Sequence, residues 1–386
     1  MSPRPEPIPL CAMAEQDPEI RRAVSQAINR VLDHGAYILG PELAVFEQEA
    51  AALCGCRYAV GVSSGSDALY CMLKAAGIGP GQEVVTTAYS FVATAEAIMR
   101  TGAAPVFADT RRGEFLPGAD QVEQAITPAT TAVLAVSLFG QEPHWETLAD
   151  LCRRRGLKLL LDAAQSFGCG HLGEIRGEKP WLAAAVSFFP SKTLGALGDA
   201  GMVLTDAQEL FEQAMALRIH GKNTQGHITL LGGNFRMDTL QAAALSAKLP
   251  YLAAHREMRR QVAASYATLM QELVPDLLPG IHPLAARPLQ AQGRHGFSYF
   301  LLTLPRGRDE ARAVLAREGI HTGLYYGRPL PYEQVFAPFA RRPNKYPNAE
   351  ESSAAALALP LFPALDLDRQ QRVVATLARW WRQATS

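Results

Sequence analysis

One lysine lies between an apolar stretch and a glycine-rich loop. Lys192 follows the run VSFFPS at residues 186–191 and precedes TLGALGDAG at residues 193–201. Burial disfavours the charged ammonium group, so a lysine at such a position has a lowered pKa and becomes a nucleophilic amine. The pattern indicates Schiff-base chemistry at Lys192. A solvated loop position is the alternative interpretation, and for any single lysine it is the commoner one.

A carboxylate ends a run of leucines. Asp162 follows the leucines at 159–161 and precedes the sequence AAQ. A carboxylate at the end of a buried strand is costly unless a cation pairs with it, and a ligand with a protonated ring nitrogen would supply that cation. An aspartate that caps the following turn is an equally common interpretation of the same pattern.

A turn of serine and glycine precedes a helical pattern. The turn Ser64-Gly65-Ser66 leaves backbone N–H groups free at a helix N-terminus, where the helix dipole favours a phosphate. A plain N-cap by Ser64 or Ser66 explains the turn equally well. Taken together, a nucleophilic lysine, an acidic partner and a phosphate turn are what pyridoxal phosphate requires.

The same turn also fits a second chemistry. Residues 61–65 read GVSSG, the G-x-S-x-G pattern of a nucleophile elbow, which would make Ser63 the nucleophile of a serine hydrolase. This serine follows the first strong strand pattern of the chain, whereas an α/β-hydrolase has several strands before its nucleophile. The hydrolase is therefore the minor alternative.

Short β-rich runs alternate with helical patterns from residue 57 to about residue 205. We expect strands at residues 58–63, 83–87, 105–108, 131–138 and 158–161. We expect helices at residues 66–76, 91–102, 118–126 and 145–156. This alternation favours a mainly parallel α/β sheet with helices on both faces, whose ligand site lies at the carboxyl ends of the strands.

The pattern changes after residue 205. Helices are expected at 207–219 and 236–270, followed by a loop rich in Pro and Gly that extends to about residue 295. A smaller α+β unit then has a strand at 297–304, a helix at 309–318, a strand near 320–326 and a last helix from Asp366. We assign residues 1–260, including an N-terminal arm, to a large domain and residues 261–386 to a small C-terminal domain.

Five segments together carry a family pattern. They are YILGPEL at 37–43, SGSDAL at 64–69, DAAQSFG at 162–168, SFFPSKTLGALGDAG at 187–201 and NFRMDTLQAA at 234–243. In register from about residue 15 to the C-terminal helix, the chain resembles the DegT/StrS-type aminotransferases. The resemblance implies a fold-type I pyridoxal-phosphate enzyme with a mainly parallel seven-stranded sheet in the large domain and a small C-terminal α+β domain.

The resemblance also implies roles for the cofactor-binding residues. Lys192 is expected to form the Schiff base with pyridoxal phosphate and to shuttle the proton, while Asp162 pairs with the pyridinium nitrogen. Gln165 is expected to hydrogen-bond the phenolic oxygen of the cofactor. Phosphate binding is implied for three residues, Gly65, Ser66 and Ser187.

Two further positions concern the partner subunit and the cofactor ring. By the resemblance, Asn234 reaches the phosphate in the neighbouring subunit, which makes a homodimer part of the active site. Phe91 holds the place of the aromatic ring that covers the cofactor face, and Tyr89 is the second candidate.

A sibling branch that deoxygenates sugars has histidine at the position of Lys192, so the lysine favours transamination.

The substrate end departs from the family pattern. Similar enzymes often read G-I-H-Y-P-x-P-L-H, whereas residues 323–331 read GLYYGRPLP and lack both histidines. Tyr325 and Tyr326 are the substrate candidates in this segment. Arg236 and Arg328, together with Lys222, are the cations expected to meet the diphosphate of a nucleotide-linked substrate.

Composition restricts the remaining possibilities. The chain has 386 residues with 37 Lys+Arg and 37 Asp+Glu, and this balance argues against a nucleic-acid-binding protein. No apolar stretch reaches the roughly 18 residues of a membrane span. The N-terminus lacks the apolar region of a signal peptide, and the six cysteines lack paired metal-ligand spacing, so we expect a cytoplasmic protein without a metal.

We therefore expect a homodimeric aminotransferase with a ping-pong mechanism. Glutamate or glutamine would donate the amino group, and a keto sugar, nucleotide-linked, would accept it. A keto cyclitol of aminoglycoside-type biosynthesis is the alternative acceptor. The serine hydrolase and a pyridoxal-phosphate-binding regulator without turnover are the more remote alternatives.

Overall fold

The central sheet follows the strand–helix alternation that the sequence predicts. The computed structural model describes residues 6–13, 17–173, 177–280, 295–340 and 346–385. The strands of the sheet are β1 (Tyr58–Val62), β2 (Glu83–Thr87), β3 (Ala104–Ala108), β4 (Thr130–Val136), β5 (Lys158–Asp162), β6 (Ala183–Ser187) and β7 (Gly201–Thr205). Their spatial order is β1-β7-β6-β5-β4-β2-β3. Only β7 runs antiparallel to its neighbours, so the mainly parallel seven-stranded sheet is confirmed.

Helices connect these strands and precede them. They are α1 (Pro18–His34), α2 (Pro41–Cys54), α3 (Gly65–Ala75), α4 (Val92–Arg100), α5 (Ala119–Ala125), α6 (Trp145–Arg155) and α7 (Gln208–Arg218). Helices α1 and α2 are not among the elements predicted from the sequence. Their signals are a proline at the first helical position and, after the last, Gly35 and Gly55 in left-handed conformation with φ 71° and 64°, the usual asymmetry of helix ends.

Apolar side chains cover both faces of the sheet. One core packs Phe46 and Phe188 edge to face, with ring centroids 5.3 Å apart, between α2 and the sheet. The core on the other face contains Leu69 and Met72 of α3 together with Leu160 of β5. Because β5 is buried on both faces, its sequence KLLLD is a continuous apolar run that ends in a carboxylate.

The C-terminal part contains a second, two-stranded sheet. The helices and strands of the C-terminal part are α8 (Thr239–Lys248), α9 (Leu252–Leu273), β8 (Phe300–Thr303), α10 (Arg308–Arg317), α11 (Pro347–Ala355), β9 (Ala356–Leu359) and α12 (Leu367–Thr385). The expected strand near 320–326 is wrong, because only isolated bridges form there, at Ile320 and Gly323. The antiparallel partner of β8 is β9, which the alanine-rich sequence did not indicate.

The expected single helix at 236–270 is also wrong. A short 3₁₀ segment, Leu249–Tyr251, separates α8 from α9, and it contains Pro250, which cannot continue an α-helical hydrogen-bond ladder. The expected domain boundary at residue 260 lies inside α9 and stays a prediction. Ile8 of the N-terminal arm packs in the core of the C-terminal part. Most of the loop expected before residue 295 lies at 281–294, outside the described residues.

In the described part of the chain, no helix combines the length and the apolar character needed to cross a membrane.

Candidate active site

The carboxyl ends of two neighbouring parallel strands meet at one edge of the central sheet. β5 ends at Asp162 and β6 ends at Ser187. β7 begins at Gly201, which pairs directly with Ser187. We call these strand ends, together with the start of α3, the cofactor edge. A mainly parallel sheet places its ligands at such an edge.

Asp162 is a buried carboxylate without a cation at ion-pair distance among the described residues. Its side chain is 4% exposed. The Thr94 hydroxyl donates a hydrogen bond of 2.7 Å to Oδ2, and the Ala164 amide donates one of 3.2 Å to Oδ1. Burial raises the pKa of Asp162, while these two donors and the charge of Lys192 act in the opposite direction. The carboxylate is therefore held in place and lacks a close positive partner.

Lys192 lies in the loop that follows β6. Burial lowers the pKa of its amine to about 8, and the charge of Asp162 partly opposes this shift. The loop is anchored by α8, since the Lys248 ammonium donates to the Gly195 carbonyl at 2.8 Å and Gln241 accepts from the Leu197 amide at 2.8 Å. The structure thus brings the lysine and the aspartate into one electrostatically coupled pair.

The start of α3 packs directly on the ends of β6 and β7. A Cβ added to Gly65 would lie 2.6 Å from Cβ of Ser187, and one added to Gly201 would lie 2.2 Å from the Ser64 carbonyl oxygen. Only glycine permits either approach. Ser64 caps α3 by accepting from the Asp67 amide at 3.1 Å, so the N-cap interpretation is correct. The predicted phosphate residues Gly65, Ser66 and Ser187 are brought together at this helix N-terminus.

Ser63 lacks the partner that a hydrolase nucleophile needs. Its hydroxyl donates to Oδ2 of Asp67 at 2.7 Å, and it forms no hydrogen bond with a histidine in the described part of the chain. A serine nucleophile depends on a base within hydrogen-bond reach. The geometry at Ser63 therefore serves the turn before α3.

Gln165 connects the cofactor edge to the C-terminal part of the chain. Its side-chain oxygen accepts from the Phe139 amide, and its Nε2 donates to the Tyr326 hydroxyl at 3.2 Å. The Ser298 hydroxyl donates to the backbone carbonyl of Gln165 at 2.5 Å. Among the described residues, the other N–H of the side-chain amide has no acceptor, since a primary amide has two donors and one of them bonds Tyr326.

Four tyrosines form a second feature beside this edge, and we call Tyr89, Tyr299, Tyr325 and Tyr326 the tyrosine cluster. The Tyr89 hydroxyl donates to the Tyr325 carbonyl at 2.5 Å and accepts from the Tyr326 amide at 2.7 Å. The peptide between Tyr325 and Tyr326 is cis. The ring centroids of Tyr299 and Tyr325 lie 4.4 Å apart, and the side chains of Tyr325 and Ser191, the residue before Lys192, influence the pKa of Tyr299, which burial raises.

The two candidates for the ring that covers the cofactor differ in placement. Phe91 is 53% exposed at the start of α4, and its ring centroid lies 6.0 Å from that of Tyr326. Tyr89 is fully buried and stacks on Phe115 at 5.7 Å. The Tyr89 side chain therefore belongs to the tyrosine cluster, and Phe91 stays the residue predicted to cover the cofactor ring.

Three predicted residues have no hydrogen bond or ion pair with Lys192 or Asp162 in the part of the chain that the structure describes. Asn234 is exposed, and its backbone pairs with Ile219. Arg236 is half-buried beside Val62 of β1, while Arg328 is exposed just after the tyrosine cluster. Their predicted roles with a partner subunit or a diphosphate stay predictions.

Sequence reasoning missed Thr94, Gly201 and Tyr299. Thr94 lies three residues after Phe91, and a hydroxyl in the first turn of a helix gave no sign of a distant carboxylate. Gly201 ends the glycine-rich loop that identified Lys192, so its signal was present in the sequence. Tyr299 reaches the lysine loop only through the folding of the C-terminal part onto the sheet.

The chain was compared with known proteins. A family model described as the DegT/DnrJ/EryC1/StrS aminotransferase family matches residues 18–378. A pleiotropic regulatory protein of Geobacillus stearothermophilus is 39% identical, over 97% of this chain and 99% of the relative. A UDP-N-acetyl-3-dehydro-alpha-D-glucosamine 3-aminotransferase of Acidithiobacillus ferrooxidans is 35% identical, over 96% of this chain and 97% of the relative.

A solved structure agrees with the fold. The crystal structure of S. venezuelae DesV, in complex with a ketimine intermediate, has a TM-score of 0.89 and 35% sequence identity, over 97% of this chain and 99% of that chain. The family match covers the cofactor edge, the tyrosine cluster and every strand of both sheets. The chain therefore belongs to the DegT/DnrJ/EryC1/StrS aminotransferase family and is a pyridoxal-phosphate-dependent aminotransferase.

Proposed function

We propose that the protein transfers an amino group from glutamate or glutamine to the keto group of a nucleotide-linked sugar, in two successive half-reactions. The observation that carries the proposal is the coupled pair of Lys192, with a pKa lowered to about 8, and the buried carboxylate of Asp162 at one sheet edge. Relatives named as UDP- and dTDP-sugar transaminases, such as one from Streptomyces venezuelae that is 36% identical, support the substrate class.

The residues at the cofactor edge fit pyridoxal phosphate. Asp162 lacks a close cation in the described part of the chain, and a protonated ring nitrogen would complete it. Gly65, Ser66 and Ser187 would hold the phosphate at the start of α3, where a helix N-terminus favours an anion. Gln165 would donate to the phenolic oxygen, and Phe91 would cover the ring. When bound, the cofactor withdraws electrons from the carbon that carries the amine.

The protein supplies position and proton transfer to this chemistry. Thr94 holds the Asp162 carboxylate through a 2.7 Å hydrogen bond, which favours the ionised form and with it a protonated ring nitrogen. Nζ of Lys192 exchanges a proton with the reacting substrate carbon. A pKa near 8 suits this task, because a general acid–base group works best when its pKa lies near the operating pH.

The tyrosine cluster and the nearby cations would select the keto substrate. Tyr325 and Tyr326 would present aromatic surface and hydroxyls to the sugar, as the predicted substrate residues. Arg236 and Arg328 would meet the diphosphate of the nucleotide. A keto cyclitol lacks that diphosphate, so it is the alternative acceptor if these two arginines prove dispensable.

Exposed apolar residues support a homodimer. Leu231 is 86% exposed, and Tyr37, Ile38 and Leu39 form a second exposed apolar segment. Apolar surface that is clustered rather than scattered marks an interaction site. Asn234 lies three residues after Leu231 and is exposed, and the family resemblance implies that it reaches the phosphate in the partner subunit. Mixing the variants Lys192→Ala and Asn234→Ala should then restore activity in hybrid dimers, and no restoration would contradict a shared site.

The six cysteines form no disulfide in the described part of the chain, which supports a reducing compartment, and we place the protein in the cytoplasm. Thiol titration of the protein from its native cells tests this assignment. We expect all six thiols to react after denaturation without a reductant.

The decisive experiment is spectroscopic. The cofactor-loaded protein should show a visible absorbance band that glutamate or glutamine shifts, and the resulting amine form should then convert keto sugars. The panel contains UDP- and dTDP-linked keto sugars and free keto cyclitols, with product detection by mass spectrometry. If glutamate, glutamine and every keto substrate of the panel leave the band unchanged, the protein is a pyridoxal-phosphate-binding regulator without turnover. Turnover of only the cyclitols would overturn the sugar assignment.

A further inference from the structure

A cavity of about 120 Å³ lies behind the lysine loop. The N-terminal arm, the loop at 190–195, and helices α8 and α9 line it. Three lining residues, Met13, Asp17 and Ala364, are exposed, so the cavity communicates with solvent. None of the predicted cofactor residues except Lys192 lines this cavity, which distinguishes it from the cofactor edge.

Arg259 of α9 lines the cavity with an uncompensated charge. Arg259 is 6% exposed. Nη1 donates to the Leu361 carbonyl at 3.2 Å, while Nε is enclosed without a hydrogen-bond partner. No carboxylate lies within 4.0 Å of the guanidinium in the part of the chain that the structure describes. A guanidinium has five N–H donors, so most of its hydrogen-bonding capacity is unused.

Among the described residues, a second buried arginine has the counter-ion that Arg259 lacks, although its Nε is likewise enclosed without a hydrogen-bond partner. Arg218 of α7 is 4% exposed and donates to Oε1 of Glu47 at 2.6 Å and to the Gly61 carbonyl at 3.1 Å. Buried charges are paired as a rule, because removing an ion from water without a counter-ion costs several kcal/mol. Arg218 follows that rule within the described chain, and Arg259 does not.

Other polar groups at the cavity favour an anion. Lys248 lines it with an ammonium bonded to the Gly195 carbonyl, and His255 lines it as a half-buried side chain. The acidic lining residue, Asp17, is exposed at the edge, and its carboxylate accepts from the Glu19 amide at 2.7 Å as the N-cap of α1. Positive charge therefore lies inside the cavity, and the negative charge lies at its edge.

We propose that this cavity is a binding site for a small oxyanion, a carboxylate or a phosphate, held by Arg259 and Lys248. The volume admits a group of about five heavy atoms, since it exceeds several times the 10–15 Å³ that one water needs. The bound anion joins α9, the N-terminal arm and the lysine loop, because residues of all three line the cavity. The site lies outside the cofactor edge and shares one residue, Lys192, with the proposed transamination machinery.

Thermal unfolding of the cofactor-loaded protein tests the site. Inorganic phosphate and acetate are titrated separately against chloride at constant ionic strength, and isothermal calorimetry measures affinity. We expect a saturable rise in Tm with at least one of these oxyanions. A response to phosphate alone assigns the phosphate class, and a response to acetate assigns the carboxylate class. The same Tm in all three salts would overturn the proposal.

Variants locate the binding. Arg259→Gln should weaken anion binding about tenfold or more, because a hydrogen bond to a charged group is lost. Arg260→Gln is the matched control, since Arg260 lies on the same helix and pairs with Glu257. Equal anion affinity in Arg259→Gln and the wild type would overturn the assignment. If Arg259→Gln fails to fold, Lys248→Gln replaces it, because Lys248 is only half-buried. Unchanged anion affinity in Lys248→Gln would likewise overturn the assignment.

Discussion

The cofactor edge and the tyrosine cluster lie side by side but are built in different ways. Asp162, Ser187 and Lys192 belong to one stretch of chain and come together because neighbouring strands end at the same sheet edge. Tyr89 and Tyr326 are separated by 237 positions and are joined by one hydroxyl. The cofactor edge thus depends on local sequence and sheet topology, whereas the cluster depends on long-range contacts.

This difference suggests a division of roles. The cofactor edge contains groups that we propose for the chemistry, and its close backbone contacts at Gly65 and Gly201 leave little freedom for change. The cluster contains the segment where the sequence departs from the family pattern, at residues 323–331. We therefore expect substitutions at the edge to affect cofactor binding and all substrates, and substitutions in the cluster to affect the keto substrate.

The largest effect is expected for Lys192→Ala. Loss of the amine removes both the covalent cofactor link and the acid–base group, whose contribution alone is about 10²–10⁴-fold. Turnover should fall by more than about 10³-fold. Borohydride reduction followed by peptide mass spectrometry should find the cofactor on residue 192 in the wild type. A reducible adduct on another lysine would contradict the assignment.

Gly201→Ala should strongly weaken cofactor binding. The new Cβ would displace the Ser64–Gly65 backbone of the proposed phosphate turn, and such overpacking costs about 1–3 kcal/mol. We expect affinity for pyridoxal phosphate to fall by about tenfold to a hundredfold, measured by equilibrium dialysis. Gly198→Ala in the same loop is the control, because its Cβ would contact only the Gln241 side chain, at 3.2 Å. Equal losses of cofactor affinity in both variants would contradict a specific role of Gly201 in the phosphate turn.

The pH dependence of cofactor uptake should report the environment of Lys192. Only the neutral amine attacks the cofactor, and the neutral fraction rises about tenfold per pH unit below the pKa. With the pKa lowered to about 8, the uptake rate should rise up to that pH and level off above it. A stopped-flow rate that still climbs at pH 9.5 would indicate an ordinary, solvated lysine.

Thr94→Val should weaken cofactor binding more moderately. The variant loses a 2.7 Å hydrogen bond to the Asp162 carboxylate, worth about 1.5–3 kcal/mol for a charged acceptor. Because that bond opposes the rise in the pKa of Asp162, its loss favours the protonated acid. Cofactor affinity should fall by about tenfold. Thr94→Ser keeps the hydroxyl and should retain most of the affinity, and an equal loss in both variants would implicate packing instead.

Tyr89→Phe should have the smallest effect and confine it to the tyrosine cluster. The variant removes the hydroxyl that bonds both the Tyr325 carbonyl and the Tyr326 amide. We expect KM for the keto substrate to rise several-fold, with the cofactor absorbance band unchanged. A shifted band with unchanged KM would reverse the proposed division of roles.

Local patterns identified much of the large sheet. The five strands and four helices predicted between residues 58 and 162 end within two residues of the observed elements. Apolar runs, glycine loops and N-caps are local signals, so they can be interpreted without the rest of the chain. The predicted strand near 320–326 is wrong. Ile320 and Gly323 form only isolated bridges there, and their partners, Ile8 and Ala358, lie in distant segments of the chain.

The sequence by itself determined the chemistry of this protein. Asp162 ends one apolar strand and Lys192 follows another, and parallel neighbouring strands end at a common edge. Tertiary structure alone decided what surrounds that pair. Thr94 reaches Asp162, Tyr89 holds the 325–326 peptide, and Arg259 lies without a counter-charge in the described chain only because distant segments fold together. Contacts between distant segments leave no periodic pattern along the chain, and sequence reasoning had no signal for them.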